Sequence, residues 1–192
     1  IWSPKKDIYT KVSGGIFETM YAGYGFEALY KPFDTNFYIG AEIFNVKKRS
    51  FNQRFDFDKY KTTTGHINFV YIFAKGVEAN LSVGRYLAKD DGYTLDLSRR
   101  LSSGFKAGIY FTRTDVPSEL FGEGSFDKGL YFRIPFDSFT KNNTKNSYST
   151  TIRSIQRDGG QRLEEFTGTL WSELRSLRYD SIENNRLRMM PE

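Results

Sequence analysis

Residues 77–112 read VEANLSVGRYLAKDDGYTLDLSRRLSSGFKAGIYFT, and this stretch decides the fold class of the chain. Apolar and polar residues alternate with a period of two in three runs, which is typical of strands with one face in an apolar medium. Lys89–Gly92 and Ser102–Gly104 separate the runs, and glycine suits tight turns because it tolerates positive φ. The stretch therefore predicts three consecutive antiparallel strands that form a meander.

The same alternation extends outward over five further runs, so we predict about eight strands in total. These runs are residues 15–31, 36–46, 63–73, 129–136 and 148–155. Short and long polar connections mostly alternate along the chain, as the periplasmic turns and external loops of outer-membrane barrels do. We therefore predict an all-β, antiparallel outer-membrane β-barrel, of which this meander could be one part.

The composition of the 192 residues favours the same class. Aromatic residues make up 17% of the chain, but hydrophobic residues only 39%, and the mean hydropathy is −0.55. A barrel needs rings at two membrane interfaces and polar side chains in its lumen. We assign the interface role to rings near strand ends: Tyr30, Phe33, Phe37, Tyr71, Phe73, Tyr86, Tyr93, Phe105, Tyr131 and Phe136.

Several other classes of protein are disfavoured by the same inventory. No run of 18 apolar residues predicts a transmembrane helix, and the absence of cysteine excludes disulfides and thiolate metal sites. The net charge of +5 is spread along the chain rather than gathered in a basic stripe, so no nucleic-acid partner is expected. His66 is the single histidine, and we expect it to pack or cap near the start of a strand.

The periodicity changes after residue 156. Leu163, Phe166, Leu170, Leu174 and Leu177 follow one another at spacings of three and four, which indicates a helix. We predict an amphipathic helix from about Leu170 to Tyr179 with Thr169 as its N-cap. The chain thus divides into barrel strands over residues 1–156 and a C-terminal segment outside the barrel wall over residues 157–192.

Charged residues within the predicted strands fall on the polar face. We expect them to line the lumen and to form ladder pairs of opposite charge across neighbouring strands. The candidates are Glu42, Glu78, Asp96, Arg100, Lys106 and Arg133. Paired carboxylates can also cleave glycosidic bonds, which is the weaker interpretation here.

One loop is a candidate ligand site. Phe121–Gly129 combines three glycines with two acids, one lysine and two rings, as a loop that contacts sugars could. Glu123, Asp127 and Lys128 are its candidate ligand residues. Its glycine spacing does not match a phosphate-binding loop, and glycines also simply build turns.

Particular strings, in their order and spacing, resemble the C-terminal part of the YjbH family of exopolysaccharide and capsule biosynthesis proteins. The resemblance covers nearly the whole chain. The strings that carry it are Gly15–Gly25, Glu27–Phe33, Thr64–His66, Val83–Ala88, Phe121–Gly129 and Arg157–Gly160.

The resemblance implies a non-enzymatic component of extracellular polysaccharide assembly or export in the outer membrane of Gram-negative bacteria. It implies three kinds of partner: outer-membrane lipid, polysaccharide and other proteins of the export system. It brings no catalytic residue, metal or cofactor, and we expect none. Family members are longer, and the chain starts at Ile1 rather than Met, so we expect a longer precursor.

Two alternatives to the barrel stay open at this point. The first is a soluble β-sandwich that binds carbohydrate, in which rings would gather in the middle of strands. The second is a polysaccharide-modifying enzyme, which would depend on one pair of carboxylates. A requirement for detergent separates the barrel from the sandwich.

Overall fold

Alternation of apolar and polar residues produces one antiparallel sheet in which each strand pairs with the next strand along the chain. The computed structural model describes residues 1–52, 54–73, 76–101, 103–117, 126–136, 147–153, 159–164 and 168–175. These residues form ten strands and one short helix: β1 (Trp2–Lys5), β2 (Ile8–Ile16), β3 (Tyr21–Tyr30), β4 (Phe37–Arg49), β5 (Phe57–Ile72), β6 (Val77–Arg85), β7 (Asp91–Arg100), β8 (Lys106–Thr114), β9 (Asp127–Pro135), β10 (Ser147–Arg153) and α1 (Leu170–Arg175).

The meander predicted from residues 77–112 is confirmed as β6, β7 and β8. Leu81 lies opposite Leu95, and Asn80 lies opposite Asp96. The register therefore places like side chains on the same face of the sheet. Over the described residues β1 and β10 are the two edge strands, so the structure establishes an antiparallel meander, a coarser description than a closed barrel.

The sheet has one apolar and one polar face. Large hydrophobic side chains on the apolar face are 37% to 60% exposed. We call "the apolar face" the side that carries Ile39, Ile43, Ile67, Phe69, Leu81, Val83, Leu95, Leu97, Ile109, Leu130 and Ile152. "The polar face" is the opposite side, with Glu27, Glu42, His66, Asn68, Glu78, Asn80, Ser82, Thr94, Asp96, Ser98, Arg100, Lys106, Thr112, Tyr131 and Arg133.

The prediction of about eight strands was wrong at the N-terminal end. The single strand predicted over residues 15–31 is divided between β2 and β3. Residues 17–20 form the tight connection, which is closed by a hydrogen bond of 3.1 Å from Phe17 N to Tyr21 O. These four residues, Phe-Glu-Thr-Met, contain no glycine or proline, and the sequence therefore gave no turn signal. The short strand β1 also went unpredicted.

The turn between β6 and β7 also differs from its prediction. Lys89 adopts the positive φ of 72°, whereas Gly92 belongs to β7. A Cβ atom at Gly92 would lie 2.2 Å from the carbonyl oxygen of Arg113 on the neighbouring strand. Glycine is needed at position 92 because the backbones of β7 and β8 lie close together there, and not because of the turn.

Residues 159–164 and 168–175, which we call the docked segment, lie against the polar face. Helix α1 begins at Leu170 as predicted, and Thr169 is its N-cap, because Ser172 N donates to Thr169 Oγ1 over 3.3 Å. The predicted continuation to Tyr179 lies outside the described residues. Within the part of the chain that the structure describes, no helix is long and apolar enough to cross a membrane.

Two apolar clusters interrupt the polar face. The first contains Phe17, Phe44, Val46 and Leu87, and Leu163 of the docked segment packs against it. The second contains Leu29, Tyr38 and Val70 together with Leu170 of α1, which is 2% exposed. The docked segment therefore buries apolar side chains at both clusters, and a polar region lies between them.

Replacing Gly25 with alanine is expected to destabilise the first cluster. A Cβ atom there would lie 2.0 Å from Cδ1 of the Phe44 ring, so the ring must move away from Phe17. Overpacking of this kind costs roughly 1–3 kcal/mol. Thermal unfolding in detergent should show a lower midpoint for Gly25→Ala but not for Gly14→Ala, where the nearest atom is 3.8 Å away. Equal midpoints would contradict the packing described here.

Candidate functional site

The polar face and the docked segment enclose a cleft of about 1080 Å³. Strands β3 to β9 contribute one wall, and Arg162, Trp171 and Arg175 of the docked segment contribute the other. All six residues predicted to line a lumen also line this cleft: Glu42, Glu78, Asp96, Arg100, Lys106 and Arg133. That they line the lumen of a barrel remains a prediction. The period-two alternation correctly predicted that they share one face of the sheet.

The expected ladder pairs of opposite charge are present at Lys11 and Glu27, which lie opposite each other, but not among the six candidate residues. Glu27 lies opposite Glu42 on neighbouring strands. Arg100 lies opposite Lys106, and Lys106 lies opposite Arg133. Like charges that face each other destabilise a sheet, so the opposite charges must come from elsewhere. The docked segment supplies part of them.

Arg162 is the first anchor of the docked segment. Its Nη2 atom donates to Glu42 Oε1 over 2.6 Å and to Asn68 Oδ1 over 3.3 Å. Its Nη1 atom donates to Ser82 Oγ over 2.9 Å. A single guanidinium thus joins β4, β5 and β6, and the bond to the carboxylate is of the strong, charge-assisted kind.

His66 also contacts Glu42, and its predicted position at a strand start was wrong. It lies in the middle of β5 because this strand begins at Phe57, six residues before the predicted start. The ring is 4% exposed. Its Nδ1 atom lies 3.2 Å from Glu42 Oε1, and the ring packs edge-on against Tyr86 with centroids 4.7 Å apart. His66 thus holds the Glu42 carboxylate in place together with Arg162.

The N-terminus of α1 has a second anchor. Lys11 Nζ lies 2.9 Å from Glu27 Oε1 and 3.3 Å from Glu173 Oε1, and it donates to Gly168 O over 2.7 Å. Leu170 N donates to Glu27 Oε2 over 2.7 Å. The acidic pair Glu27 and Glu42 is therefore compensated by Lys11 and Arg162.

Arg175 anchors the other end of α1. Its Nη1 atom donates to Glu78 Oε2 over 2.9 Å, and its Nη2 atom contacts the second carboxylate oxygen. Lys106 Nζ also lies 3.9 Å from Glu78. Close by, the Tyr131 hydroxyl donates to Asp96 Oδ1 over 3.0 Å. Positive charges outnumber negative ones in this part of the cleft.

Two titratable groups in the connections between strands, Glu18 and Tyr86, have raised pKa values. Burial raises the pKa of the Glu18 carboxyl, and a hydrogen bond of 3.0 Å from Glu164 N partly offsets that rise. Burial likewise raises the pKa of Tyr86, whose hydroxyl bonds Thr94 Oγ1 over 2.6 Å. Both groups are neutral over a wider pH range than in water, which suits their covered positions.

The assignment of Tyr86 and Tyr131 to interface girdles was wrong. Tyr86 is fully buried, and Tyr131 lies on the polar face, where its hydroxyl bonds Asp96. Their positions share the parity of the polar residues in β6 and β9, so the alternation itself carried the correct signal. Other assigned rings are exposed, near the edge of the sheet where the connections between strands are short. They include Tyr30, Phe33, Phe37, Tyr71, Phe73 and Phe136.

The three loop candidates do not form a joint site within the described residues. Asp127 begins β9, is 3% exposed and accepts a hydrogen bond of 3.4 Å from the Tyr110 hydroxyl. Lys128 lies on the opposite face, where its Nζ atom is 4.8 Å from the centroid of the Phe126 ring. Glu123 lies outside the described residues, so its prediction is untested.

Sequence reasoning missed the residues of the docked segment that complete the cleft. Arg162 precedes α1 and lies in no periodic run, so no pattern identified it. Trp171 stacks on Tyr38 with ring centroids 4.0 Å apart, and the helical spacing indicated only that its face would be buried. Over the described residues, no group of three or more acidic or histidine side chains could hold a metal ion.

Comparison with known proteins supports the resemblance seen in the sequence. The family model YjbH, described as "Exopolysaccharide biosynthesis protein YbjH", matches residues 1–175. The chain is also 40% identical over 160 residues to a protein of Escherichia coli (strain K12) named "Uncharacterized lipoprotein YjbH". The match covers 81% of this chain and 23% of that relative's length. No solved structure gives a significant match.

Proposed function

The chain belongs to the YjbH family of exopolysaccharide biosynthesis proteins, and we propose that its sheet forms part of the wall of an outer-membrane β-barrel. In this proposal the barrel serves the assembly or export of an extracellular polysaccharide, including capsule, and is not an enzyme. The name of the Escherichia coli relative contains the word lipoprotein, which fits a location in the bacterial cell envelope.

The observation that carries the proposal is the inversion of the two faces. Leu95 and Leu97 are 47% and 46% exposed, whereas Glu78 and Ser98 are 6% and 3% exposed. A soluble sheet buries its apolar face and leaves its polar face in water. Outer-membrane barrels have the reverse arrangement, with apolar side chains outward and polar side chains in the lumen.

Strand dimensions support the same environment. Strands β6 and β8 each have 9 residues, and β3 and β7 each have 10. A tilted membrane strand needs about 9–11 residues to cross the hydrocarbon core. Strands β4 and β5 are longer than the hydrocarbon core requires. Their additional residues are polar and include Lys47 and Lys61, which face the same side of the sheet as the apolar residues. Such extensions suit the external surface.

The two edge strands, β1 and β10, determine how the sheet can close into a barrel. Backbone groups cannot stay unpaired in lipid, so in the proposed barrel β1 and β10 must pair with each other or with other strands. The chain spans 23% of its relative's length, and in the proposal any strands outside the chain would serve as such partners. The docked segment then lies in the lumen and narrows it.

The carboxylates support a role that is not enzymatic. A glycosidase needs one raised-pKa acid and one free carboxylate on either side of the sugar. Here Glu42 is bonded by Arg162, Glu27 by Lys11 and Glu78 by Arg175. These three carboxylates each contact a cation that also holds the docked segment, and the fourth, Asp96, accepts a hydrogen bond from the Tyr131 hydroxyl, which suits a structural role.

Cysteine labelling in intact outer membranes tests the proposal. The chain has no native cysteine, so Leu81→Cys on the apolar face and Lys106→Cys on the polar face can be compared directly. We expect a water-soluble maleimide to label Lys106→Cys at least tenfold faster, because lipid covers Leu81 and water reaches the cleft.

Unfolding in SDS supplies the control, since both cysteines should then react alike. Equal labelling in the membrane would contradict the assignment of faces to lipid and water. Recovery of the protein as a monomer in plain buffer would reject the barrel and favour a soluble carbohydrate-binding sheet.

A further inference from the structure

The cleft contains a row of like charges that the described residues neutralise only in part, through the contact of Lys106 with Glu78. Arg100, Lys106 and Arg133 stand opposite one another on β7, β8 and β9. We call these three residues the basic row. Neighbouring strands lie roughly 4.8 Å apart, so the row presents three cations along about 10 Å of the cleft wall.

The charges around the basic row do not balance. Arg175 approaches from α1 and adds a fourth cation, and Arg100 lies within the electrostatic influence of both Arg175 and Arg133. Glu78 and Asp96 are the acids that face the row. Glu78 is already bonded by Arg175, and Asp96 accepts a hydrogen bond from Tyr131. Four positive charges thus face two negative ones over the described residues.

Polar atoms beside the row lack hydrogen-bond partners. Arg100 Nε and Asn80 Oδ1 are buried and have no hydrogen-bond partner among the residues that the structure describes. Buried polar groups are normally paired, so each such atom indicates a missing ligand or solvent contact. One donor and one acceptor, both on residues that line the cleft, together suit a ligand with an anionic group and a hydroxyl group.

Aromatic rings lie in the cleft and beside the basic row. Trp171 lines it from the docked segment and is held by its stack on Tyr38. Tyr131 lies under the Nζ atom of Lys106, at 5.5 Å from the ring centroid. Rings with an apolar body and a polar edge are suited to carry the faces of sugar rings, while guanidinium groups bind carboxylates through paired hydrogen bonds.

We propose that the basic row binds the carboxylate of an acidic sugar, so that the cleft accepts a polysaccharide containing uronic acid or similar acidic residues. This inference rests on the proposed function, because it names the substrate class of the same cleft. The carboxylate offsets the repulsion along the row, and a sugar hydroxyl reaches Asn80, which lines the cleft.

Calorimetric titration in detergent tests this assignment. The probes are tetragalacturonate, a neutral maltotetraose of the same length, and inorganic phosphate. We expect tetragalacturonate to bind at least tenfold more tightly than maltotetraose. Added salt should weaken that binding, because the contacts are ionic.

Charge-removing variants locate the site. Arg100→Gln and Arg133→Gln are each expected to weaken tetragalacturonate binding about tenfold, which corresponds to the ~1.4 kcal/mol of one lost contact. Arg113→Gln is the matched control, because Arg113 is exposed on the opposite face of β8. Unchanged circular dichroism and heat-dependent gel mobility should accompany each variant.

Three outcomes would overturn the proposal. Equal binding of the neutral tetrasaccharide would remove the role of the carboxylate. Equal affinity for inorganic phosphate would leave a simple anion site with no sugar recognition. Losses as large in Arg113→Gln would show that overall charge, rather than the basic row, controls binding. Each outcome is independent of the maleimide experiment, so the failure of the barrel proposal remains distinguishable.

Discussion

Replacing Leu95 with arginine is expected to lower the free energy of unfolding in lipid by about 2–4 kcal/mol, the cost of a cationic side chain near the bilayer midplane of a barrel. Leu95 lies between Leu81 and Phe111 on the neighbouring strands, within the apolar face. Urea titration in lipid vesicles, followed by heat-dependent gel mobility, measures the change.

Thr63→Arg is the matched control for this prediction. Thr63 faces the same side of the sheet on β5, but it lies beside Asn45 in the polar extension of the strand. The same arginine should cost roughly 0–1 kcal/mol near the interface. If Leu95→Arg were as mild as Thr63→Arg, the apolar face would not lie in lipid, because exposed substitutions in water are usually within about 0.5 kcal/mol.

Replacing Arg162 with alanine is expected to release the docked segment from the polar face. The change removes every hydrogen bond from Arg162 to Glu42, Asn68 and Ser82. Breaking a buried ion pair costs roughly 3–5 kcal/mol. Because the Arg162 side chain is 28% exposed, we expect about 2–3 kcal/mol after allowance for solvent screening.

Tryptophan fluorescence reports the release directly. In a Trp2→Phe background the signal comes from Trp171 alone, and loss of its stack on Tyr38 should shift the emission to longer wavelength. Arg153→Ala is the control, because that exposed side chain contacts the docked segment through a longer bond of 3.3 Å to Gln161. An unshifted spectrum for Arg162→Ala would show that the other anchors, at Lys11 and Arg175, hold the segment together with its apolar contacts without Arg162.

A double substitution separates the ion pair from general damage. Arg162→Ala leaves the Glu42 carboxylate without its strongest partner, and Glu42→Gln removes that charge. The two changes together should cost less than the sum of the single changes, since they remove one shared interaction. Strict additivity would mean that the two side chains act separately.

The strands were predictable because their pattern is local. The alternation around Leu81 and Leu95 determined the faces, and the helix start at Leu170 followed from Thr169 as N-cap. The pattern could not give the register, which depends on turn geometry. The assignment of residues to the two faces of the sheet was therefore correct. That Arg100, Lys106 and Arg133 lie directly opposite one another on neighbouring strands was not predicted.

The contacts of the docked segment were beyond sequence reasoning for a different reason. Arg162 reaches Glu42 across 120 positions, and Leu170 reaches Glu27 across 143. No short-range periodicity records which side chain will meet which strand over such distances. In the sequence, Arg162 and Glu42 look like ordinary surface charges. Only the folded chain brings them together as a pair.

The same long separations determine the order in which the molecule assembles. Every pairing within the sheet joins strands that are adjacent along the chain, so each hairpin closes only a short loop. The contact from Lys11 to Gly168 closes a loop of 157 positions, and the entropy of that closure is recovered only once β2 and β3 are in place. We therefore expect the sheet to form before the docked segment covers its polar face, so that the cleft closes in the last folding step.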